Sequence, residues 1–186
     1  HDGREVLETM AAIGGFSVDK LLTAKGWSAV ETVVAMVDEA YSFLGRDEER
    51  FREACQYRLG EAYGPIRFVL LARSPRAVNA EAARTIHLVS NHSHYDILEQ
   101  TRNHLHVRYT SSAPEVEHRL LCLMRQANGA GLPTVWGLPP AIVTEHGCIA
   151  RGDEACEYHV HWTAGWGWWP KVAGALAGGG LAALLG

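Results

Sequence analysis

The sequence predicts an α+β fold in which an amino-terminal layer of helices packs on an antiparallel sheet. Two observations carry this prediction. Apolar residues recur at helical spacing through the first ninety residues, and beyond them the period changes to the alternation typical of strands. A hairpin, a helix and a second hairpin follow in that order, which favours antiparallel pairing.

The first half of the chain is predicted to be helical. A helix over residues 28–44 carries an apolar stripe, and a second over residues 47–59 opens with acidic residues that suit a helix amino terminus. Gly64-Pro65 and Pro75 mark the starts of two further helices, because proline fits the first turn of a helix.

The second half is predicted to form strands around one helix. Leu105, Val107 and Tyr109 alternate with polar residues, as expected for a strand with one buried face. The turn pair Gly152-Asp153 precedes a similar alternation in the last strand. The predicted segments are strands 95–99, 105–109, 141–145 and 156–162, and a helix opening at Pro114 and ending at Gly129.

Length and composition describe one globular domain. The chain has 186 residues, of which 47% are hydrophobic and 20% charged, close to the average for folded domains. Its formal net charge of −4 argues against a nucleic-acid partner, since such binding needs a basic face. We therefore expect no nucleic acid to bind.

The carboxy-terminal segment differs from the rest. Residues 172–186 carry no charge, and three tryptophans and Lys171 come just before them. Tryptophans beside a lysine at the edge of an apolar run are typical of a membrane interface. We predict that residues 1–162 form the domain and that 163–186 are a linker and the start of a transmembrane helix in a chain that continues. A buried helix is the alternative, although its glycines would weaken it.

Three cysteines and a glutamate in the β half form a candidate metal site. Cys148 and Cys156 flank a turn, so a hairpin can bring their sulfurs together, and Cys122 on the preceding helix can close over them. With Glu145 they would provide three thiolates and a carboxylate, a set that tetrahedral zinc accepts. The spacing also allows a Cys148–Cys156 disulfide or three buried thiols.

The pattern Cys122-x22-Glu145-x2-Cys148-x7-Cys156 resembles the 4-vinyl reductase domain, the sensory half of transcription activators that respond to phenol and xylene. The resemblance covers residues 4–162, but its specific part is confined to 122–162. It implies that these four residues hold a structural zinc ion that staples the closing hairpin. It also implies a fold shared with haem-based nitric-oxide sensor domains and Golgi tethering subunits. The histidine and tryptophan that hold phenol in the family are absent, so phenol specificity is not carried over.

A sensor domain needs a pocket for its ligand. We predict a pocket for a small apolar or aromatic molecule near Tyr95, Tyr109 and Trp136, with Phe68 from the helical layer, because tyrosine and tryptophan combine apolar walls with a polar group. The alternatives are a dimerisation or tethering module without a ligand, a haem or NO-binding sensor, and a reductase-like enzyme.

The sequence has ten histidines, so haem is a possible cofactor. His92 and His94 lie close to His104 and His106, but the last two alternate with the apolar positions of their strand and are predicted to face solvent. His87, in an apolar helical context, is the best candidate for an axial ligand. The ligand pattern of the cysteines nevertheless favours zinc over haem.

The remaining predictions concern activity, location and assembly. The sequence has no GxGxxG, P-loop or serine-hydrolase pattern, so we predict no enzymatic activity in this segment; a cyclase or kinase output would lie beyond it. Thiolate ligands favour a reducing compartment, hence a cytoplasmic domain adjoining the inner membrane of a bacterium. Such sensors commonly work as symmetric homodimers.

Overall fold

The computed structural model describes residues 3–23, 28–63, 66–88 and 90–163. Within them, the helices are α1 (Gly3–Ile13), α2 (Val18–Thr23), α3 (Val30–Phe43), α4 (Glu48–Gln56), α5 (Leu59–Ala62), α6 (Ile66–Leu71), α7 (Pro75–Thr85) and α8 (Arg119–Gly131). The strands are β1 (Ser93–Gln100), β2 (His104–Ser111), β3 (Ile142–Gly147) and β4 (Cys156–His161). Seven helices thus precede the first hairpin, and α8 separates the two hairpins.

The strands form one antiparallel sheet in the order β1-β2-β4-β3. The predicted α+β class, with helices followed by hairpin, helix and hairpin, is confirmed. The last strand, β4, lies between β2 and β3 and pairs with both, so it joins the second hairpin to the first. The fold does not confirm the predicted zinc ion in the closing hairpin.

The helical layer departs from prediction after α4. The expected helix over 47–59 is divided, because α4 ends at Gln56 and Arg58 adopts a left-handed conformation with φ of 51° before α5 begins. Its start agrees with the acidic pattern: the Asp47 carboxylate accepts hydrogen bonds from the backbone N–H groups of Glu49 and Arg50, at 2.9 and 3.1 Å. These bonds satisfy donors that the first helical turn leaves unpaired, and they lower the pKa of Asp47.

Helix α8 joins two cores. On one side Leu120 and Leu123 pack with Phe51 of α4, and all three side chains are buried. On the other side Cys122 packs against the sheet, where Leu105, Val107, Tyr158, Val160 and Trp162 belong to the same buried cluster. Burial on two sides makes α8 the element that fixes the helical layer to the sheet.

The predicted transmembrane segment cannot be placed in this fold, since residues 164–186 lie outside the described residues. Among the residues that are described, no helix combines the length and apolar character needed to cross a bilayer.

Candidate functional site

A cavity of about 190 Å³ lies where α7 and α8 face the sheet. Tyr95 and Tyr109 contribute neighbouring rings with centroids 4.7 Å apart, and Trp136 contributes to the opposite part of the wall near Pro133. The remaining apolar lining includes Ala82, Leu105, Val107, Leu132, Val143, Val160 and Trp162. A cavity of about 150 Å³ in another protein holds benzene, so this one has room for a single small aromatic molecule.

The structure brings three of the four predicted ligand residues together around this cavity. Tyr95, Tyr109 and Trp136 line it, and the Trp136 indole N–H donates to the backbone carbonyl of Arg73 at 2.8 Å. Phe68 is not among the lining residues; it lies on the short helix α6 and is 64% exposed. Val69 and Leu71 of the same helix are exposed as well, so this part of α6 contributes no wall to the cavity.

Burial raises the pKa of Tyr95 and raises that of Tyr109 to about 12. Both phenols are therefore neutral at physiological pH and can donate hydrogen bonds. Tyr158 also lines the cavity; its buried hydroxyl makes no hydrogen bond of standard geometry with the described residues, and its nearest polar neighbour is the Cys156 thiol. A buried polar group without a partner is costly, so a ligand that accepts from this hydroxyl would be favoured.

Arg125 is the charged group at the cavity. It forms a bidentate ion pair with Glu117, with N–O distances of 2.8 and 3.0 Å, and the Glu117 side chain is 1% exposed. The guanidinium carbon also lies 5.0 Å from the centre of the Tyr109 ring, a cation–π distance. Arg125 was not among the residues predicted for the pocket, although an arginine directly after the apolar run of residues 120–124 is a signal of a buried ion pair.

A second, wider space lies between α3 and the segment that leads into β1. This cleft has a volume of about 950 Å³, at the upper end of the usual range for ligand sites of roughly 300–1,000 Å³. Its apolar lining is Ala29, Val30, Val33, Ile86, Ala113, Val116 and Leu121. Tyr109 and Arg125 line both the cleft and the cavity, so they form a wall common to the two spaces.

His92 is the histidine among the described residues of the cleft wall. Its side chain is 21% exposed. The ring nitrogen Nδ1 lies 3.1 Å from Asn91 Oδ1, which can only accept, so Nδ1 carries the proton of this contact. Nε2 lies 3.8 Å from Glu117. His87, the residue favoured by the sequence, is exposed and lines neither the cavity nor the cleft.

The three predicted cysteine ligands do meet. Cys122 Sγ lies 3.4 Å from the sulfurs of both Cys148 and Cys156, and all three residues are buried free thiols. Hydrogen bonding from Cys122, with a further bond from the backbone N–H of Ile149, lowers the pKa of Cys156. The disulfide that the spacing allowed is not formed.

The Glu145 carboxylate is bound by Arg119 and Gln126 rather than by the three cysteines. One Arg119 nitrogen donates to Glu145 Oε1 at 2.6 Å and also lies 3.6 Å from Cys148 Sγ, and Gln126 donates to the same carboxylate oxygen at 2.8 Å. Arg119 further pairs with Glu48 of α4. The carboxylate is therefore engaged by cations, and the four-residue metal set stays a prediction from the sequence.

A third group of residues lies on the opposite face of the sheet. His104 and His106 of β2 stand opposite His161 and His159 of β4, and exposed His146 of β3 lies beside them. The rings stack closely: the His106 and His159 centroids are 4.0 Å apart, and those of His104 and His161 are 4.3 Å apart. Desolvation and the neighbouring imidazoles lower the pKa of His159, so its ring is neutral at pH 7.

Comparison with known proteins establishes what this fold is similar to. No protein-family model matches the sequence, and no curated protein matches it. Among solved structures, an H-NOX protein from S. oneidensis in the Fe(II)NO ligation state aligns with a TM-score of 0.59 and 15% identity over 87% of this chain and 90% of that one. An Fe(II) unliganded H-NOX protein from K. algicida aligns with a TM-score of 0.55 and 12% identity over 88% and 95%. At such low identity, the likeness shows the fold alone.

These neighbours confirm the predicted fold relation to haem-based nitric-oxide sensor domains. They also contradict the cofactor prediction, which favoured structural zinc over haem: the solved structures that share this fold are those of H-NOX proteins in Fe(II) states. The cysteine spacing favoured zinc, and nothing in the sequence distinguished His92 from the other histidines, because the cleft that it lines is formed by residues distant in the chain. The resemblance to the 4-vinyl reductase domain stays a prediction.

Proposed function

We propose that this chain is a sensory domain that binds haem in the cleft between α3 and the sheet, with His92 as the axial ligand. The observation that carries the proposal is the position of His92, in the wall of a cleft of about 950 Å³, in a fold like that of H-NOX proteins. The alternative function named from the sequence, a haem or NO-binding sensor, thus becomes the leading one.

The cleft residues fit a haem in three respects. Apolar side chains from α3 and from residues near α8 provide walls for a flat macrocycle. Asn91 accepts from Nδ1–H of His92, the arrangement usual for a metal-ligating histidine, and Nε2, which lies 3.8 Å from Glu117, would bind the iron. Arg125 lines the cleft and retains N–H groups beyond the two that bind Glu117, and these could donate to the carboxylates of the cofactor.

A bound haem would supply an iron centre that takes a diatomic gas. The residues of this chain would hold and orient it. His92 lies in the segment immediately before β1, and Tyr109 and Arg125 separate the cleft from the cavity. A displacement of His92 would move the start of β1 and with it the sheet. The same displacement would alter the contact between His92 and Glu117, whose ion pair with Arg125 connects it to α8.

A haemin titration tests the proposal. We expect the purified chain to bind one haemin with a saturable change in the haem absorption spectrum. His92→Ala should weaken binding by at least about tenfold or change the spectrum to that of another ligation state, because it removes the iron ligand. His87→Ala is the matched control: it removes an exposed histidine nearby and should leave the titration unchanged.

Any of three outcomes would overturn the assignment. Failure of the folded wild-type chain to bind haemin would remove haem from the function. Equal binding and identical spectra for wild type and His92→Ala, or loss of binding in His87→Ala instead, would show that His92 is not the ligand.

A second function is favoured by the smaller cavity. Its volume of about 190 Å³, its aromatic wall and the buried Tyr158 hydroxyl suit a small aromatic ligand. If this is the sensory site, saturating phenol should raise the melting temperature of the chain, since ligands that bind the folded state stabilise it. Tyr158→Phe removes the polar partner with little change in shape and should reduce that shift; an unchanged melting temperature with phenol would contradict this second function.

Other features of the predicted sensor rest on the sequence alone. Membrane attachment through residues 163–186, a cytoplasmic location, assembly as a homodimer and the division at residue 162 stay predictions.

A further inference from the structure

The outer face of the sheet carries a row of imidazoles that the proposed haem site does not use. His104, His159 and His161 come from the paired strands β2 and β4, and each alternates in sequence with residues of the core. In β4, for example, Cys156, Tyr158 and Val160 are buried on the side of α8, so His159 and His161 project from the other side. The row is therefore separated from the thiols and the cleft by the thickness of the sheet.

The ring nitrogens of these three residues are close enough to share one ion. One nitrogen from each lies within 4.8 Å of the others, and His104 Nε2 is 3.0 Å from His159 Nδ1. Imidazole nitrogens bind first-row divalent ions at about 2.0–2.1 Å, which places neighbouring ligands about 2.9 Å apart in a square-planar site and about 3.4 Å apart in a tetrahedral one. Small rotations of the partly exposed rings would bring all three to such a separation, and His161 is exposed and free of core packing.

One neighbouring group favours a metal over simple stacking. Glu99 Oε1 lies 3.7 Å from His104 Nδ1, the nitrogen that would not bind the ion, where a carboxylate can orient the ring. Without an ion, His104 Nε2 and His159 Nδ1 share one proton in a hydrogen bond of 3.0 Å. An ion would replace that proton and bind the lone pairs of both nitrogens.

We propose that His104, His159 and His161 form a surface binding site for a first-row divalent transition metal such as nickel(II) or copper(II). Neutral imidazole is a preferred ligand of these ions, and nickel and copper stand near the top of the affinity order for nitrogen donors. Three protein ligands leave at least one coordination position open to solvent, which is the arrangement of exchangeable rather than closed sites.

Calorimetric titration of the reduced chain with nickel(II) at pH 7.5 tests this site. We expect one high-affinity site per chain. His159→Gln and, independently, His161→Gln should each weaken it by at least about tenfold, since each removes a ligand. His94→Gln is the matched control, because His94 is an exposed histidine on β1 of the same sheet and lies outside the cluster; its affinity should stay within about twofold of wild type.

The thiol cluster could also take nickel, so the absorption spectrum is recorded during the same titration. Nickel bound by imidazoles gives weak visible bands, whereas thiolate ligation gives strong near-ultraviolet charge-transfer bands. Absence of nickel binding, strong charge-transfer bands at one equivalent, or wild-type affinity in both glutamine variants would overturn the proposal. Circular dichroism of each variant establishes that the fold is retained, which is expected since these side chains lie outside the core.

Discussion

Replacing Arg125 with methionine is expected to lower the free energy of unfolding by about 3–5 kcal/mol. The substitution keeps an unbranched side chain in α8 but leaves the Glu117 carboxylate, which is 1% exposed, without its bidentate partner. A buried charge without a counter-ion is strongly destabilising, because neither water nor a donor replaces the lost contacts. Urea denaturation monitored by circular dichroism measures the change.

The ion pair between Arg108 and Glu157 provides the control. It has a similarly short contact, with Arg108 Nη2 2.6 Å from Glu157 Oε1, but the Arg108 side chain is 47% exposed. Arg108→Met should therefore cost no more than about 1 kcal/mol. Equal effects of the two methionine substitutions would show that the Glu117–Arg125 pair is not buried as described.

Replacing Phe51 with alanine is the second substitution with a large expected effect, about 3–5 kcal/mol. Phe51 is 2% exposed, packs with Leu120 and Leu123 of α8, and meets Tyr41 edge to face with ring centroids 5.5 Å apart. Alanine would leave a cavity where α4 contacts α8 and would remove an aromatic pair. The same denaturation experiment reports the loss.

Phe68→Ala is the matched control for that substitution. The two residues are chemically identical, but Phe68 is 64% exposed. Its replacement should change stability by about 0.5 kcal/mol or less. A large loss for Phe68→Ala would indicate that α6 is covered by a partner or by another part of the chain, and a small loss for Phe51→Ala would contradict the packing of α4 on α8.

The sheet was predictable from the sequence because the residues of its strands alternate. Leu105 and Val107 are buried as the pattern required, and the predicted final strand 156–162 matches β4 within one residue. The meeting of Cys122, Cys148 and Cys156 followed from the same reasoning, since a hairpin and a helix packed on it bring distant positions together. These features depend on local patterns and short connections.

Features that depend on distant contacts could not be predicted in this way. Nothing near Glu145 in the sequence indicates that Arg119, 26 positions earlier, would hold its carboxylate. The importance of His92 arises because α3, far away in the chain, forms the other wall of the cleft. Arg58 adopts a left-handed conformation that divides the helix predicted over 47–59. Such a conformation is usually indicated by a glycine in the sequence, and here the residue is an arginine.

Native mass spectrometry of the chain, freshly purified from haem-supplemented cells, tests the central claim most directly, because it reports every bound group by mass. The account predicts a species with one haem per chain in the wild type and in His87→Ala, and its loss in His92→Ala. A wild-type spectrum without the haem adduct, or the same haem occupancy in His92→Ala as in the wild type, would contradict a haem site at His92.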